Sequence, residues 1–161
     1  MKILIICTGN TCRSPMAEGF MKQLISKKGL NGIEVSSAGT AAIVGLPATQ
    51  NAKQAASEKG VDLSSHRSRQ VTGTLVREAE LILAMERFHV DYVNELGGWG
   101  KTYLISGYPA EGGTDVVDPI GGSLDDYRAV RDRIEDEVRR IIPHLSREVG
   151  GERPRSNERE S

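Results

Sequence analysis

The sequence predicts an α/β domain: a doubly wound, four-stranded parallel sheet of order 2-1-3-4 with helices on both faces. Three observations carry this. Short apolar runs bounded by turn residues alternate with longer stretches of helical periodicity, the pattern of parallel strands joined by crossover helices. At 161 residues the chain is long enough to bury one core without covalent staples. The first apolar run, Ile3 to Ile6, passes straight into CTGNTCRSPMAEG at 7–19, which reads as a strand, a tight loop and a helix.

Each element has its own signal. Lys2 to Ile6 reads as a buried strand, and Pro15 to Lys28 as a helix with Ser14 at its cap, Pro15 at its first position and Gly29 beyond its end. Ile33 to Ser37 makes a second strand, and Ala48 to Lys59 a helix stopped by Gly60. A short helix over Gly73 to Glu78 leads into the third strand, Leu81 to Met85. Helix Arg87 to Leu96 ends at Gly97-Gly98, and Thr102 to Ile105 forms the fourth strand. A long loop rich in glycine and proline runs to Gly122, and Ser123 caps a final amphipathic helix that reaches about Glu148, with a bend near Pro143. The domain thus spans 1–149, and 150–161, charged and without apolar periodicity, reads as a disordered tail. No internal repeat is visible.

Composition excludes several function classes. Lysine and arginine total 21 against 22 acidic residues, so there is no general field to draw nucleic acid or an anionic membrane. The opening MKILIIC is too short an apolar run for a signal peptide or a span, and the protein is read as cytoplasmic and monomeric. Cys7 and Cys12 are the whole thiol inventory, too few for a disulfide scaffold or a zinc site. His66, His89 and His144 are scattered, with no pair at ligand spacing. Neither a metal nor another cofactor is expected.

The chemistry concentrates in the first loop. In doubly wound sheets ligands sit beyond the carboxyl ends of the strands, at the switch point beside the first strand, and Cys7 ends that strand. Arg13 follows six positions later, and an intervening backbone curled into a nest points the amides from Thr8 to Arg13, and the guanidinium fork, at one tetrahedral oxyanion. Gly9 and Asn10 stand where the turn needs permissive residues. The same field, with the positive end of the following helix, is expected to lower the Cys7 pKa and make it a thiolate nucleophile. A nucleotide-binding Walker loop does not fit, since the second glycine and the lysine are missing.

CTGNTCRSPMAEG, SSAGT at 36–40, HRSRQV at 66–71, LILAME at 81–86 and DPIGG at 118–122 together resemble the low-molecular-weight protein tyrosine phosphatase family, over nearly all of the chain but the tail. The resemblance implies that Cys7 forms a phosphocysteine intermediate and Arg13 clamps the phosphate. It makes Asp118 the general acid that protonates the leaving group and then activates water. It further implies that Asn10, Ser14, Ser37 and His66 hold the phosphate loop, residues 8–14, in shape. A phosphoryl leaving group must gain a proton as it departs, and Asp118 follows the last strand on the edge where Cys7 lies.

The phosphorylated side chain is the finer question. Many tyrosine-specific relatives carry an aliphatic residue between the loop asparagine and the second cysteine, and aromatic residues just after the Asp-Pro pair. Here Thr11 and Ile120-Gly121-Gly122 stand in those places, and 39–52, the expected opposite wall, has no aromatic residue. CTGNTCRSPMAE with DPIGGSLDDY is most similar to the protein arginine phosphatase branch, which makes phosphoarginine on proteins the expected substrate, with Thr11 and Ile120 at the specificity positions. Phosphotyrosine is the alternative. An arsenate reductase relay needs a further cysteine, and none follows Cys12. A silent phosphoprotein-binding module is disfavoured by the presence of nucleophile, clamp and acid together. Cys12, close to Cys7 in the loop, is expected to form a disulfide with it under peroxide.

Overall fold

A computed structural model describes residues 1–150 of the chain. Apart from Gly150, the expected tail lies outside the described residues. Strands β1 (Lys2–Cys7), β2 (Glu34–Gly39), β3 (Leu81–Ala84) and β4 (Thr102–Leu104) form one parallel sheet. Its order is β2-β1-β3-β4, as the alternation of strands and helices predicts. In register, Ile5 lies opposite Ser37 on one side and Leu83 on the other, and Cys7 lies opposite Gly39.

The two-residue period of the strands divides the core. Ile3, Ile5, Leu81 and Leu83 are buried on one face under α1 (Arg13–Lys27), α2 (Gln50–Ser57) and α5 (Leu124–Val149). Leu4, Ile6, Ile82 and Ala84 are buried on the other, under α3 (Gly73–Glu78) and α4 (Arg87–Val93). Each fully buried aliphatic side chain contributes about 1.5–3 kcal/mol. A slip of β1 by one residue exchanges its two sets, so the register is firmly held.

Several boundaries differ from the sequence reading. α1 begins at Arg13, with Cys12 in the cap position making no side-chain cap bond, so Ser14 and Pro15 are its second and third residues. The loop at 8–12 winds directly into the helix: the Cys12 carbonyl already accepts from the Met16 N–H at 3.2 Å. Pro15 is tolerated because the first four N–H groups of a helix have no intrahelical acceptor. α2 starts two residues later than expected, capped by Thr49, whose hydroxyl accepts from Ala52 N–H at 3.3 Å. α4 stops at Val93 and passes into a wide π turn over Asn94–Gly98, closed by Gly97 at φ 103°, a conformation that favours glycine. α5 starts in a capping box between Ser123 and Asp126 and runs as one element through Pro143. No helix among the described residues is long and apolar enough to cross a membrane.

Candidate active site

The carboxyl ends of all four strands open onto the segments that surround the loop from Cys7 to Arg13. Asn10 holds that loop. It is fully buried and takes the left-handed conformation at φ 56°, which asparagine tolerates better than most residues. Its side-chain amide donates to Ser14 Oγ at 2.8 Å and Ser37 Oγ at 2.9 Å, and its Oδ1 accepts from Arg69 N–H at 3.0 Å. Its backbone carbonyl lies 2.7 Å from His66 Nε2. Gly9, expected to share the strained turn, has an ordinary φ, and a Cβ there would meet only Thr11 Oγ1 at 3.5 Å. The glycine that the loop does need is Gly39: a Cβ on it would lie 2.3 Å from the Thr8 carbonyl oxygen. Here the end of β2 comes against the loop, and Thr40 and Ala41 donate to the Cys7 and Thr8 carbonyls at 3.0 Å each.

Cys7 is buried at the loop's entrance. Its sulfur lies 2.9 Å from Ser14 Oγ and accepts from Asn10 N–H at 3.2 Å. Because the Ser14 oxygen accepts from Asn10, its proton is free to point at the sulfur. Burial pushes the Cys7 thiol up, while the Ser14 and Asn10 hydrogen bonds and the Arg13 charge pull it down. Burial outweighs them, so the expected depression is not what these contacts give, although the positive end of α1 adds a pull toward the thiolate. Among the described residues, no protein acceptor meets the N–H groups of Gly9, Thr11, Cys12 or Arg13. Four unmatched donors in one tight loop suit an anion.

Arg13 is only 1% exposed, yet its charge is answered. One terminal nitrogen donates to Glu86 Oε2 and to the Val116 carbonyl, both at 2.8 Å, and the other lies 3.4 Å from Asp118 Oδ2. The first nitrogen fixes the fork; the second is the one turned toward Asp118. Asp118 sits on the loop between β4 and α5, where its Oδ1 accepts from Ile120 N–H at 3.0 Å. Ile120 itself is 66% exposed.

His89 ties this charge cluster to the phosphate loop. Its Nδ1 accepts from Glu86 N–H at 3.0 Å, which leaves the proton on Nε2, 2.8 Å from Thr8 Oγ1. Burial first, then the neighbouring Arg13 charge, push His89 down to about 4, so it is neutral at pH 7. Cys12 points into the core, with Thr49 Oγ1 and Tyr127 OH both at 3.5 Å. Both cysteines are free thiols. Thr11 accepts from Thr49 N–H through its carbonyl at 3.0 Å, while its hydroxyl has only Cys12 Sγ, at 3.9 Å, as a polar neighbour among the described residues.

The structure therefore gathers Cys7, Asn10, Arg13, Ser14, Ser37, His66 and Asp118 into one connected site, with Ile120 at its edge. Sequence reasoning passed over Arg69, Glu86 and His89. Glu86 had a signal, since it stands just past the carboxyl end of β3, at the functional edge of the sheet. Among the described residues, no group of three His, Cys, Asp or Glu side chains is arranged to hold a metal ion. A buried sulfur, unpaired amides, a fixed guanidinium and a partly exposed carboxyl group can bind a phosphoryl group, take it onto sulfur and, with the carboxyl group protonated, give a proton to what leaves.

Known proteins match the chain over most of its length. A protein-arginine-phosphatase of Bacillus subtilis is 38% identical over 150 residues, covering 92% of this chain and 99% of that one. Among solved structures, the YwlE arginine phosphatase of Geobacillus stearothermophilus superposes with a TM-score of 0.81 at 38% identity, over 91% of this chain and 94% of that one. A low molecular weight protein tyrosine phosphatase from T. tengcongensis superposes with a TM-score of 0.84 at 33% identity, over 90% and 99%. The family model described as low molecular weight phosphotyrosine protein phosphatase matches residues 2–151, so the cysteine loop, its asparagine brace and the fold that carries them make this chain a member of that family, a cysteine-dependent phosphatase.

Proposed function

We propose that the chain dephosphorylates phosphoarginine on proteins through a phosphocysteine on Cys7. In the first step Cys7 attacks phosphorus as the thiolate, the form that the Ser14 and Asn10 hydrogen bonds and the Arg13 charge favour, the P–N bond breaks, and the protonated Asp118 gives its proton to the departing guanidinium nitrogen. In the second step the Asp118 carboxylate takes a proton from water, whose oxygen attacks phosphorus and breaks the P–S bond, releasing phosphate and restoring the thiolate. The loop amides and the Arg13 nitrogen that faces Asp118 stabilise the charge of the transferring group. Glu86 and the Val116 carbonyl keep that guanidinium aimed.

The observation that carries arginine over tyrosine is Thr11, a hydroxyl on the loop without a close polar partner among the described residues. A phosphoguanidinium brings N–H groups that such a hydroxyl can accept from; a phenyl ring brings none. The arginine-phosphatase relatives support the same assignment. A second reading, phosphotyrosine, is favoured by Phe88 and Tyr92, which are 52% and 41% exposed on α4 and supply aromatic surface that the loops lack. Thr11→Ile decides between them. It is expected to move the preference, measured as the ratio of kcat/KM for phosphoarginine and phosphotyrosine peptides, toward tyrosine by about 1–3 kcal/mol. Equal losses on both peptides would show that Thr11 does not select.

A further inference from the structure

Isolated exposed apolar side chains are ordinary on a protein surface; their concentration in one place is not. Of the eight large apolar or aromatic side chains exposed among the described residues, seven lie on the three segments that touch the phosphate loop. The first segment follows β2 and holds Ile43, Val44 and Leu46, exposed by 70%, 72% and 41%. It is stitched to the loop at both ends, by Ala41 N–H to the Thr8 carbonyl and by Thr49 N–H to the Thr11 carbonyl, each at 3.0 Å. The second follows β3, carries Phe88 and Tyr92 on one side of α4, and joins the loop through Glu86 and His89. Gln70 links these two arcs: its side chain lies 3.4 Å from Tyr92 OH and holds the Thr40 carbonyl and Ala42 N–H at 2.8 and 2.9 Å. The third is the Asp118 loop, with Val117 and Ile120 exposed by 67% and 66%. The eighth side chain, Trp99, lies outside these three segments, just before β4.

We infer that these three arcs form an apolar collar that binds the polypeptide on either side of the phosphorylated residue, so that the enzyme favours protein substrates with apolar neighbours. This rests on the reading of the loop as a protein phosphatase site. A phosphorylated side chain that reaches Cys7 brings its own backbone to the rim, where the adjacent residues have nowhere to rest but these arcs. The Asp118 arc also offers a seat: a cavity of about 440 Å3 opens behind it, lined by Val116, Pro119, Ala129 and Val130 as well as by Val117 and Ile120. Asp118, Asp126 and Arg133 also line it, so it offers an apolar wall with charged groups at its margin, room for an aliphatic side chain that would lie against the loop that carries Asp118.

Two phosphoarginine peptides test this, one flanked by leucine and valine and the other by serine and glycine. Wild-type kcat/KM is expected to be about tenfold higher for the apolar peptide, through KM. Val117→Ser and the double variant Ile43→Ser/Val44→Ser should each lower the ratio of kcat/KM for the apolar peptide to that for the polar one, a ratio in which any loss on the phosphorylated residue itself cancels. Equal kcat/KM for the two wild-type peptides overturns the collar. If only phosphotyrosine is hydrolysed, the arginine reading fails, and the same ratio on phosphotyrosine peptides with the same flanks decides the collar. A wild-type dimer in sedimentation that these variants dissociate, with no effect of the flanks, would make the collar a surface for a second copy and overturn the proposal.

Discussion

Arg13 shows what the site demands of single residues. A guanidinium buried to 1% exposure is costly unless its protons are matched, and Glu86, Val116 and Asp118 match them while leaving one nitrogen toward the acid. In the proposed mechanism Asp118→Asn removes the proton donor, so turnover of phosphoarginine, whose leaving nitrogen is strongly basic, is expected to fall by about 10²–10⁴-fold. Para-nitrophenyl phosphate, with its weakly basic leaving group, is expected to lose far less; equal losses in kcat would remove Asp118 from the role of acid. His89 makes a prediction of its own. Its folded pKa of about 4 lies below the ordinary 6.5, so its contribution to stability is complete above pH 6.5 and is lost as pH falls toward 4. The full difference is about 3 kcal/mol. Urea unfolding at pH 7 and pH 4.5 should show a smaller loss in His89→Gln than in the wild type, and equal losses would contradict the buried neutral imidazole. At this scale Cys7, Asn10, Arg13 and Ser14 were legible because they share one short loop whose spacing has a chemical meaning. His89 was not, since it meets that loop from a distant position that no local pattern marks, and Arg69, although it stands in HRSRQV, acts there through its backbone N–H, which residue type does not announce.

At the scale of elements, alternation and capping residues located every strand and helix, and the errors fell at ends. Ser14 and Pro15 look like a helix start by the usual preferences, but the phosphate loop commits Cys12 to the first turn and moves both inside. The π turn after α4 was hidden because Gly97 marks an end without saying how the chain closes. β2 likewise runs on through Gly39, where the register with Cys7 brings the two segments into contact. Gly39→Ala puts a methyl group against the Thr8 carbonyl and has to displace the phosphate loop. It is expected to cost about 1–3 kcal/mol in urea unfolding and to weaken competitive inhibition by inorganic phosphate. A variant with wild-type stability and wild-type phosphate inhibition would show that the close approach does not hold the loop.

For the whole molecule, strand order follows from the chain's alternation, and strand order places the site: the segments that carry Cys7, Glu86 and Asp118 each follow the carboxyl end of a strand, while His66 and Arg69 reach the loop from the connection between α2 and α3. The collar is a property of this scale alone, since its three arcs are far apart in sequence and none is unusual by itself. The family and its reaction belong to the fold and the loop together, whereas the choice of phosphorylated residue turns on the loop's mouth. The most direct measurement is therefore kcat/KM of the wild-type protein on two peptides that are identical except for phosphoarginine or phosphotyrosine at the central position. The site described here predicts a clear preference for phosphoarginine, abolished together with all turnover by Cys7→Ala; a preference for phosphotyrosine, or phosphoarginine turnover that survives Cys7→Ala, would contradict it.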